Sequence, residues 1–104
     1  MKFRTHNDDI PFMGGHLQGY VDATYYELKK LFGKPHNGDG YKVDAEWDVL
    51  FDDGSFLRIY NYKNGKNYNG RSGTAKTKIT DWHIGGENGN AIPHLNKLLK
   101  SIRK

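Results

Sequence analysis

The chain of 104 residues is long enough for one domain with one modest core, and its 13% aromatic content supplies much of the area that such a core buries. The absence of cysteine excludes a disulfide framework and thiolate chemistry, and no apolar run is long enough to cross a bilayer. The chain has 16 basic and 12 acidic residues, which gives a net charge of +4. Residues 1–6 lack the apolar core of a signal peptide. We therefore expect a soluble, cytoplasmic protein that does not associate with membranes.

The N-terminal third predicts an arm, a strand and a helix. Residues 1–15 contain a proline and a glycine pair, so we expect an irregular N-terminal arm. Residues 16–21 predict a short strand. Thr24 and Glu27 have the spacing of a capping box, and the apolar residues after them recur at helical spacing, which predicts a helix over residues 24–32.

A hairpin is predicted in the middle of the chain. Residues 43–51 carry apolar side chains at odd positions and mostly acidic ones at even positions, the pattern of a strand with one face on a core. A turn and a second apolar segment, residues 56–62, follow. The connection could be a two-residue turn at Asp53-Gly54 or a three-residue turn with Gly54 in the left-handed conformation. We choose the three-residue turn, because it sets Trp47 opposite Ile59 and so keeps the apolar face continuous.

The same register places three acids on the face away from the core, where we expect water to solvate them. They are Asp44, Glu46 and Asp48. Charge is also unevenly distributed along the chain, since residues 39–53 are acidic and residues 58–78 are basic without an acid among them. Such asymmetry favours a binding site for an anion.

The second half of the chain predicts further elements of a sheet and a second helix. Residues 63–76 are rich in Asn, Gly, Lys and Tyr, and their Asn-Gly pairs predict either a second hairpin with a strand at 66–69 or a mobile loop. Residues 78–84 predict a strand that stops at Gly85-Gly86, and an apolar stripe predicts a C-terminal helix from about Asn90. The fold class is therefore α+β, a single domain with a small antiparallel sheet covered on one face by two helices.

Signals for catalysis and for metal binding are weak. No two of the five histidines have the helical spacing of a zinc protease, so we expect no metal site, and nothing predicts a cofactor. No serine lies in a nucleophile elbow. We favour a protein that is not an enzyme. The alternative is a small phosphodiester-cleaving enzyme that uses His83 and His16 as general acid and base.

A candidate anion-binding site lies where the last predicted strand meets the glycine-rich basic loop. Two glycines there leave backbone amides accessible to a ligand, and a histidine adds a titratable hydrogen-bond donor. The loop contains cations next to a tyrosine that can stack on a base. The predicted ligand-binding residues are Lys66, Tyr68, Arg71, His83, Gly85 and Gly86. The ligand is expected to be a nucleotide or a nucleic acid.

Several sequence blocks together resemble a group of small accessory proteins of tailed bacteriophages. The blocks are LQGY at 17–20, LFGKP at 31–35, GDGYKVDAEW at 38–47, IYNYK at 59–63 and WHIGG at 82–86. This resemblance covers about residues 17–100 and carries over no catalytic residues. It implies a non-structural protein made in the cytoplasm of an infected bacterium, where many such proteins counter host defence.

Three functional hypotheses follow. The leading one is a binding protein that antagonises a bacterial defence system by holding an anionic ligand or a defence protein. The second is the phosphodiester-cleaving enzyme. The third is an inhibitor that presents Asp44, Glu46 and Asp48 to a nucleic-acid-binding host protein in place of nucleic acid. The sequence leaves open whether the protein forms a homo-oligomer.

Overall fold

The computed structural model describes residues 2–11 and 13–103, which form a small compact α+β domain. Within these residues five strands form one antiparallel sheet in the order β1-β3-β4-β5-β2. The strands are β1 (Phe3–Thr5), β2 (His16–Asp22), β3 (Glu46–Phe51), β4 (Phe56–Tyr60) and β5 (Asp81–Gly86). The helices are α1 (Tyr25–Phe32), a single turn α2 (Lys66–Asn69) and α3 (Ile92–Ile102). The predicted fold class is confirmed.

The central hairpin has the predicted register. Trp47 lies opposite Ile59 and Val49 lies opposite Leu57. The connecting turn has three residues, because the N–H of Phe51 donates to the carbonyl of Ser55 at 2.8 Å, and Gly54 has a φ of 87°. That positive φ is accessible to glycine without the steric cost of a Cβ atom, so the turn and the apolar alternation agree.

The core lies between the sheet and the helices α1 and α3. Its centre is the pair Trp47 and Trp82, which are fully buried with ring centroids 5.2 Å apart in an edge-on arrangement. Each indole N–H donates to a backbone carbonyl, that of Gly33 at 2.8 Å and that of Ala23 at 2.9 Å. Both large rings therefore contribute apolar area without leaving a buried donor unpaired.

The helix α1 has the expected caps, and it is tied to the end of α3. Thr24 and Glu27 form a reciprocal capping box at the start of α1, and Gly33 follows its last residue with a φ of 84°. Arg103, just beyond α3, donates to Glu27 at 2.6 Å and joins the two helices. This hydrogen bond from Arg103 lowers the pKa of Glu27 to about 2.

Several predicted segments differ from the structure. The supposedly irregular residues 1–15 contain β1 and a 3-10 turn at His6–Asp8. The first hairpin strand begins at residue 46 rather than 43, and β5 begins at residue 81 and continues through both glycines. Residues 66–69 form a helical turn, so the predicted strand of a second hairpin is wrong. In the part of the chain described here, no helix is long and apolar enough to cross a membrane.

Candidate functional site

The face of the sheet opposite α1 and α3 carries polar and aromatic side chains, and we call it the polar face. Residues that pair directly across neighbouring strands lie on the same side of a sheet, so the strand register identifies its members. One row across four strands consists of Glu46, Tyr60, His83 and Tyr20, and the next row consists of Asp48, Arg58, Gly85 and Leu17. The polar face thus combines acids, one guanidinium and a group of rings.

Four of these rings form the aromatic cluster, defined as Tyr20, Tyr60, Tyr62 and His83. The imidazole of His83 stacks on Tyr60 with centroids 5.6 Å apart and planes inclined by 16°. Its centroid also lies 4.9 Å from that of Tyr20 and 5.6 Å from that of Tyr62. Tyr20 is 61% exposed and Tyr62 42% exposed, so the cluster presents large ring surfaces to solvent.

The Tyr60 ring lies over Gly85 of β5. A Cβ atom at Gly85 would lie 3.4 Å from Cε1 of Tyr60, at van der Waals contact distance. The ring therefore covers this position on β5, next to His83.

Lys63 extends the aromatic cluster toward α2. Its ammonium group lies 5.3 Å from the ring centroid of Tyr62 and 5.5 Å from that of Tyr68, both within the range of cation–π attraction. Lys63 has a φ of 59°, a left-handed conformation that is uncommon for a residue other than glycine. The N–H of Lys63 donates to the carbonyl of Lys42, and its carbonyl accepts from Asn69, so both backbone groups hold it in place.

Beside the aromatic cluster lies a charged cluster, defined as Glu46, Asp48, Arg58 and His36. Arg58 donates from Nε to Oε2 of Glu46 at 3.1 Å and from the terminal NH2 group to Oε1 at 3.3 Å. Nε2 of His36 donates to Oδ2 of Asp48 at 2.8 Å and lies 3.4 Å from Oε2 of Glu46. The guanidinium carbon of Arg58 lies 5.9 Å from the ring centroid of Tyr60, so the two clusters are contiguous.

Glu46 is the group whose protonation this environment changes most. Only 4% of its side chain is exposed. Burial, together with the adjacent carboxyl group of Asp48, raises the pKa of Glu46 to about 7, although the Arg58 guanidinium acts in the opposite direction. Glu46 therefore gains and loses a proton near neutral pH, the range in which a general acid or base is most effective.

A cleft of about 570 Å³ opens over the charged cluster. Its walls include the whole charged cluster, two rings of the aromatic cluster (Tyr60 and Tyr62), and residues 10, 11 and 13 of the N-terminal segment. This volume lies within the range of small-molecule sites.

Among the described residues, one group could hold a metal ion, and its potential ligand atoms lie within 4.8 Å of one another: His6, His36 and Asp48. The sequence analysis named no metal ligand, and the hydrogen bonds of this group do not favour one. In each histidine Nδ1 accepts a backbone N–H, from Asp48 at 3.2 Å for His6 and from Gly38 at 3.0 Å for His36. Nε2 then carries the proton, and His6 donates it to the carbonyl of Lys34 at 2.7 Å. A metal ion would have to displace these bonds.

The acids that were expected on a solvated face are largely buried, which corrects that expectation. Asp44 is 8% exposed and Glu46 is 3% exposed. The 3-10 turn at His6–Asp8 and the loop around His36 cover this end of β3, through the hydrogen bonds of their histidines to Asp48. Strand alternation predicts which face a side chain is on, but not whether a distant segment packs over it.

The structure brings together some of the predicted ligand-binding residues. Tyr68 on α2 and His83 on β5 are linked through Lys63 and Tyr62. Lys66 begins α2, and Arg71 is exposed in the 3-10 turn that follows α2.

The glycine pair is not at a free strand end. Gly85 and Gly86 are buried within β5 and pair with Leu17 and His16 of β2. Gly86 also accepts a hydrogen bond from Gln18 at 3.0 Å. A Cβ atom on Gly15 would lie only 2.6 Å from the carbonyl oxygen of Gly86. The backbone at residue 15 therefore approaches β5 so closely that only glycine fits there.

The histidines of the enzyme hypothesis lie apart. His16 pairs with Gly86, whereas His83 pairs with Tyr20. Residues 83 and 86 of one strand point to opposite faces, so the two imidazoles do not share a site. In contrast to His6 and His36, Nδ1 of His83 is buried and has no hydrogen-bond partner within the described part of the chain.

Comparisons of the chain with protein-family models, with curated proteins and with solved structures found no match. The resemblance to small phage proteins therefore stays a prediction. Sequence reasoning missed His6 and His36, because neither lies in a periodic segment. Within the charged cluster, Asp48 lies directly opposite Arg58 in the register of the hairpin.

Proposed function

We propose that the protein binds a single-stranded nucleic acid or a nucleotide on the polar face. The observation that carries this proposal is the exposed aromatic cluster and its continuation through Lys63 to Tyr68. Bases of any sequence can stack on such rings, and stacking contributes about 1–3 kcal/mol per base. Lys63 lies between two of the rings, where it can meet a phosphate while the bases stack on either side.

Charge supports the same ligand class. The net charge of +4 favours a polyanion, and Arg58 supplies a guanidinium next to the ring of Tyr60. The hypothesis of a nucleic-acid mimic has less support, because Asp44 and Glu46 are buried and a mimic needs its carboxylates at the surface. Antagonism of a bacterial defence system, which the phage resemblance implies, stays a prediction about the biological role of this binding.

The test is fluorescence anisotropy with a labelled single-stranded DNA oligonucleotide, accompanied by calorimetric titration with linear and cyclic mononucleotides. We expect Tyr62→Ala to weaken binding of the oligonucleotide by about 5- to 100-fold, the equivalent of one lost stacking contact. Lys63→Ala is expected to weaken binding and to reduce its dependence on salt concentration.

Matched controls exist on α1. Tyr26 is 62% exposed and Lys30 is exposed, and both are on the helix that covers the opposite face of the sheet. Tyr26→Ala and Lys30→Ala should leave the affinity unchanged. Equal losses in the control and test variants would contradict the proposal, as would the absence of binding by every probe. Tight binding of a mononucleotide would identify a nucleotide ligand, and binding of oligonucleotides alone would identify a nucleic acid.

A further inference from the structure

A second pair of exposed rings lies beyond Lys63. The ring centroids of Tyr41 and Tyr68 are 5.2 Å apart with planes inclined by 49°, and we call these two residues the tyrosine pair. Tyr41 is 57% exposed and Tyr68 is 38% exposed. The ammonium group of Lys63 lies 5.5 Å from the ring centroid of Tyr68 and 5.3 Å from that of Tyr62 in the aromatic cluster. Two separate ring surfaces therefore flank one cation.

The tyrosine pair adjoins a cleft of about 560 Å³, which shares no lining residue with the cleft over the charged cluster. Gly40 lines this cleft and directly precedes Tyr41, and Asn67 lines it and directly precedes Tyr68. The same two segments thus carry the tyrosine pair and part of the cleft wall. Two lysines also line the cleft, which we call the lysine cleft: Lys66 and Lys76.

The accessible charge in the lysine cleft is positive. Lys66 and Lys76 are exposed, and neither ammonium group has an ion pair within the described residues. Asp44 also lines the cleft, but it is only 8% exposed, and its two oxygens accept hydrogen bonds from Asn61 and Asn67. Two unpaired cations beside one opening favour a phosphate group, which an ammonium group binds as a point charge.

Backbone contacts hold the two lysines close to each other. Gly65 and Thr74 form an isolated β-bridge, and the N–H of Thr74 donates to the carbonyl of Asn64 at 2.9 Å. Lys66 directly follows Gly65, and Lys76 is two residues after Thr74. The backbone at both lysines is therefore positioned before a ligand binds, which lowers the entropic cost of binding.

We infer that the tyrosine pair and the lysine cleft form a second subsite, which makes the ligand of the polar face a single-stranded nucleic acid of several nucleotides and not a mononucleotide. This inference rests on the proposed function, because the first subsite is the aromatic cluster. One base stacks on Tyr62, its neighbouring phosphate lies at Lys63, and the next base stacks on the tyrosine pair. The phosphate that follows enters the lysine cleft.

A ligand that spans both subsites gains affinity from their linkage. A mononucleotide can occupy one subsite at a time, whereas a longer strand that is bound at one subsite fills the other in an intramolecular step. Affinity should therefore rise with length and level off once both subsites are filled. Domains that bind single strands cover about 4–16 nucleotides, and we expect the plateau near the lower end of that range.

The test is fluorescence anisotropy with labelled oligothymidylates of increasing length. We expect the hexanucleotide to bind about 100-fold more tightly than the dinucleotide. Lys76→Ala should weaken binding of the hexanucleotide and reduce the slope of log K against log salt concentration by about 0.7, the contribution of one phosphate contact in a single strand. The same variant should bind the dinucleotide as the wild type does. Tyr41→Ala should weaken binding of the hexanucleotide by about 5- to 100-fold.

Tyr26→Ala and Lys30→Ala are the matched controls, because both residues are exposed on α1, on the opposite side of the sheet. Neither change should alter the affinity for any length. Tyr41 and Lys76 are exposed as well, so their variants should keep the melting temperature of the wild type. Lys66→Ala repeats the test of the lysine cleft from the other segment.

Two results would overturn the inference. If the dinucleotide binds as tightly as the hexanucleotide, no second subsite contributes, and the proposed function stands without it. If Lys66→Ala and Lys76→Ala weaken the dinucleotide and the hexanucleotide equally, the lysines act through the overall charge of the protein and not through the cleft. Absence of binding at every length would refute the proposed function as well.

Discussion

Asn61 and Asp44 are joined by two hydrogen bonds. Nδ2 of Asn61 donates to Oδ1 of Asp44 at 3.0 Å, and Oδ1 of Asn61 accepts the backbone N–H of Asp44 at 2.7 Å. Oδ2 of Asp44 in turn accepts the N–H of Asn67 at 3.2 Å, at the start of α2. A Cβ atom on Gly65 would collide with the Asp44 carboxylate, so this close packing requires the glycine. The contact attaches the basic segment that carries Tyr68 to the end of the hairpin.

We predict that Asn61→Ala destabilises the fold. Asn61 is fully buried, and its loss removes the partner of three groups: the N–H groups of Asp44 and Ala45, and Oδ1 of the Asp44 carboxylate. Each unpaired buried group costs about 1–3 kcal/mol, so the free energy of unfolding should fall by roughly 3 kcal/mol. Urea unfolding measures this change. Asn96→Ala, at an exposed position on α3, should change it by less than about 0.5 kcal/mol.

The core of the hairpin should be equally sensitive. Trp47→Ala removes a fully buried ring and its hydrogen bond to Gly33, and should lower the free energy of unfolding by about 3–5 kcal/mol. The exposed ring of Tyr26 provides the comparison, since Tyr26→Ala should have little effect. A Trp47→Ala protein with an unchanged midpoint of denaturation would contradict the observed register.

The apolar stripe of α3 is not uniformly buried. Leu95 is fully buried, whereas Leu98 is half-buried beside an open groove that Phe51 and Lys97 also line. We therefore expect Leu95→Asp to abolish cooperative thermal unfolding, followed by circular dichroism, because it would bury a charge without a partner. Leu98→Asp should reduce the melting temperature but leave a cooperative transition. The reverse order would mean that the helix packs through its other side.

Stability should depend on pH through Glu46. Its pKa is raised in the folded state to about 7 from an ordinary 4.5, so the folded protein holds a proton that the unfolded chain releases between these values. The free energy of unfolding should consequently fall as pH rises from 5 to 8, by roughly 2 kcal/mol. In Glu46→Gln this decrease should be absent, because the amide resembles the neutral carboxyl group that Glu46 carries at pH 5 and cannot lose a proton.

Glu27 is the matched control for that experiment. The pKa of Glu27 is lowered to about 2, so its stabilising contribution is complete above the ordinary pKa of 4.5 and is lost only as pH falls toward 2. Glu27→Gln should therefore show the same decrease between pH 5 and pH 8 as the wild type. A wild-type protein whose stability is constant over this range would show that Glu46 does not titrate there.

The local elements of the fold were predictable from the sequence. The strict alternation of residues 43–51 and the positive φ available to Gly54 together select one hairpin register, since a shift by one residue would move Trp47 from the core to the polar face. The start of α1 was equally readable, because a capping box acts between residues three positions apart. Such signals depend on neighbours in the chain and need no knowledge of the rest of the fold.

The candidate site, in contrast, arises from contacts between segments that are distant in the chain. The row Glu46, Tyr60, His83 and Tyr20 exists because β4 pairs with β5 and β5 with β2, and this strand order leaves no signature in any one segment. The burial of Glu46 depends on residues 6–11, 13 and 36–39, which reach it through space from elsewhere in the chain. The pKa of Glu46 depends on its burial and on the charges near it. Segments from several parts of the chain contribute to both, so this pKa could not be predicted from β3 alone.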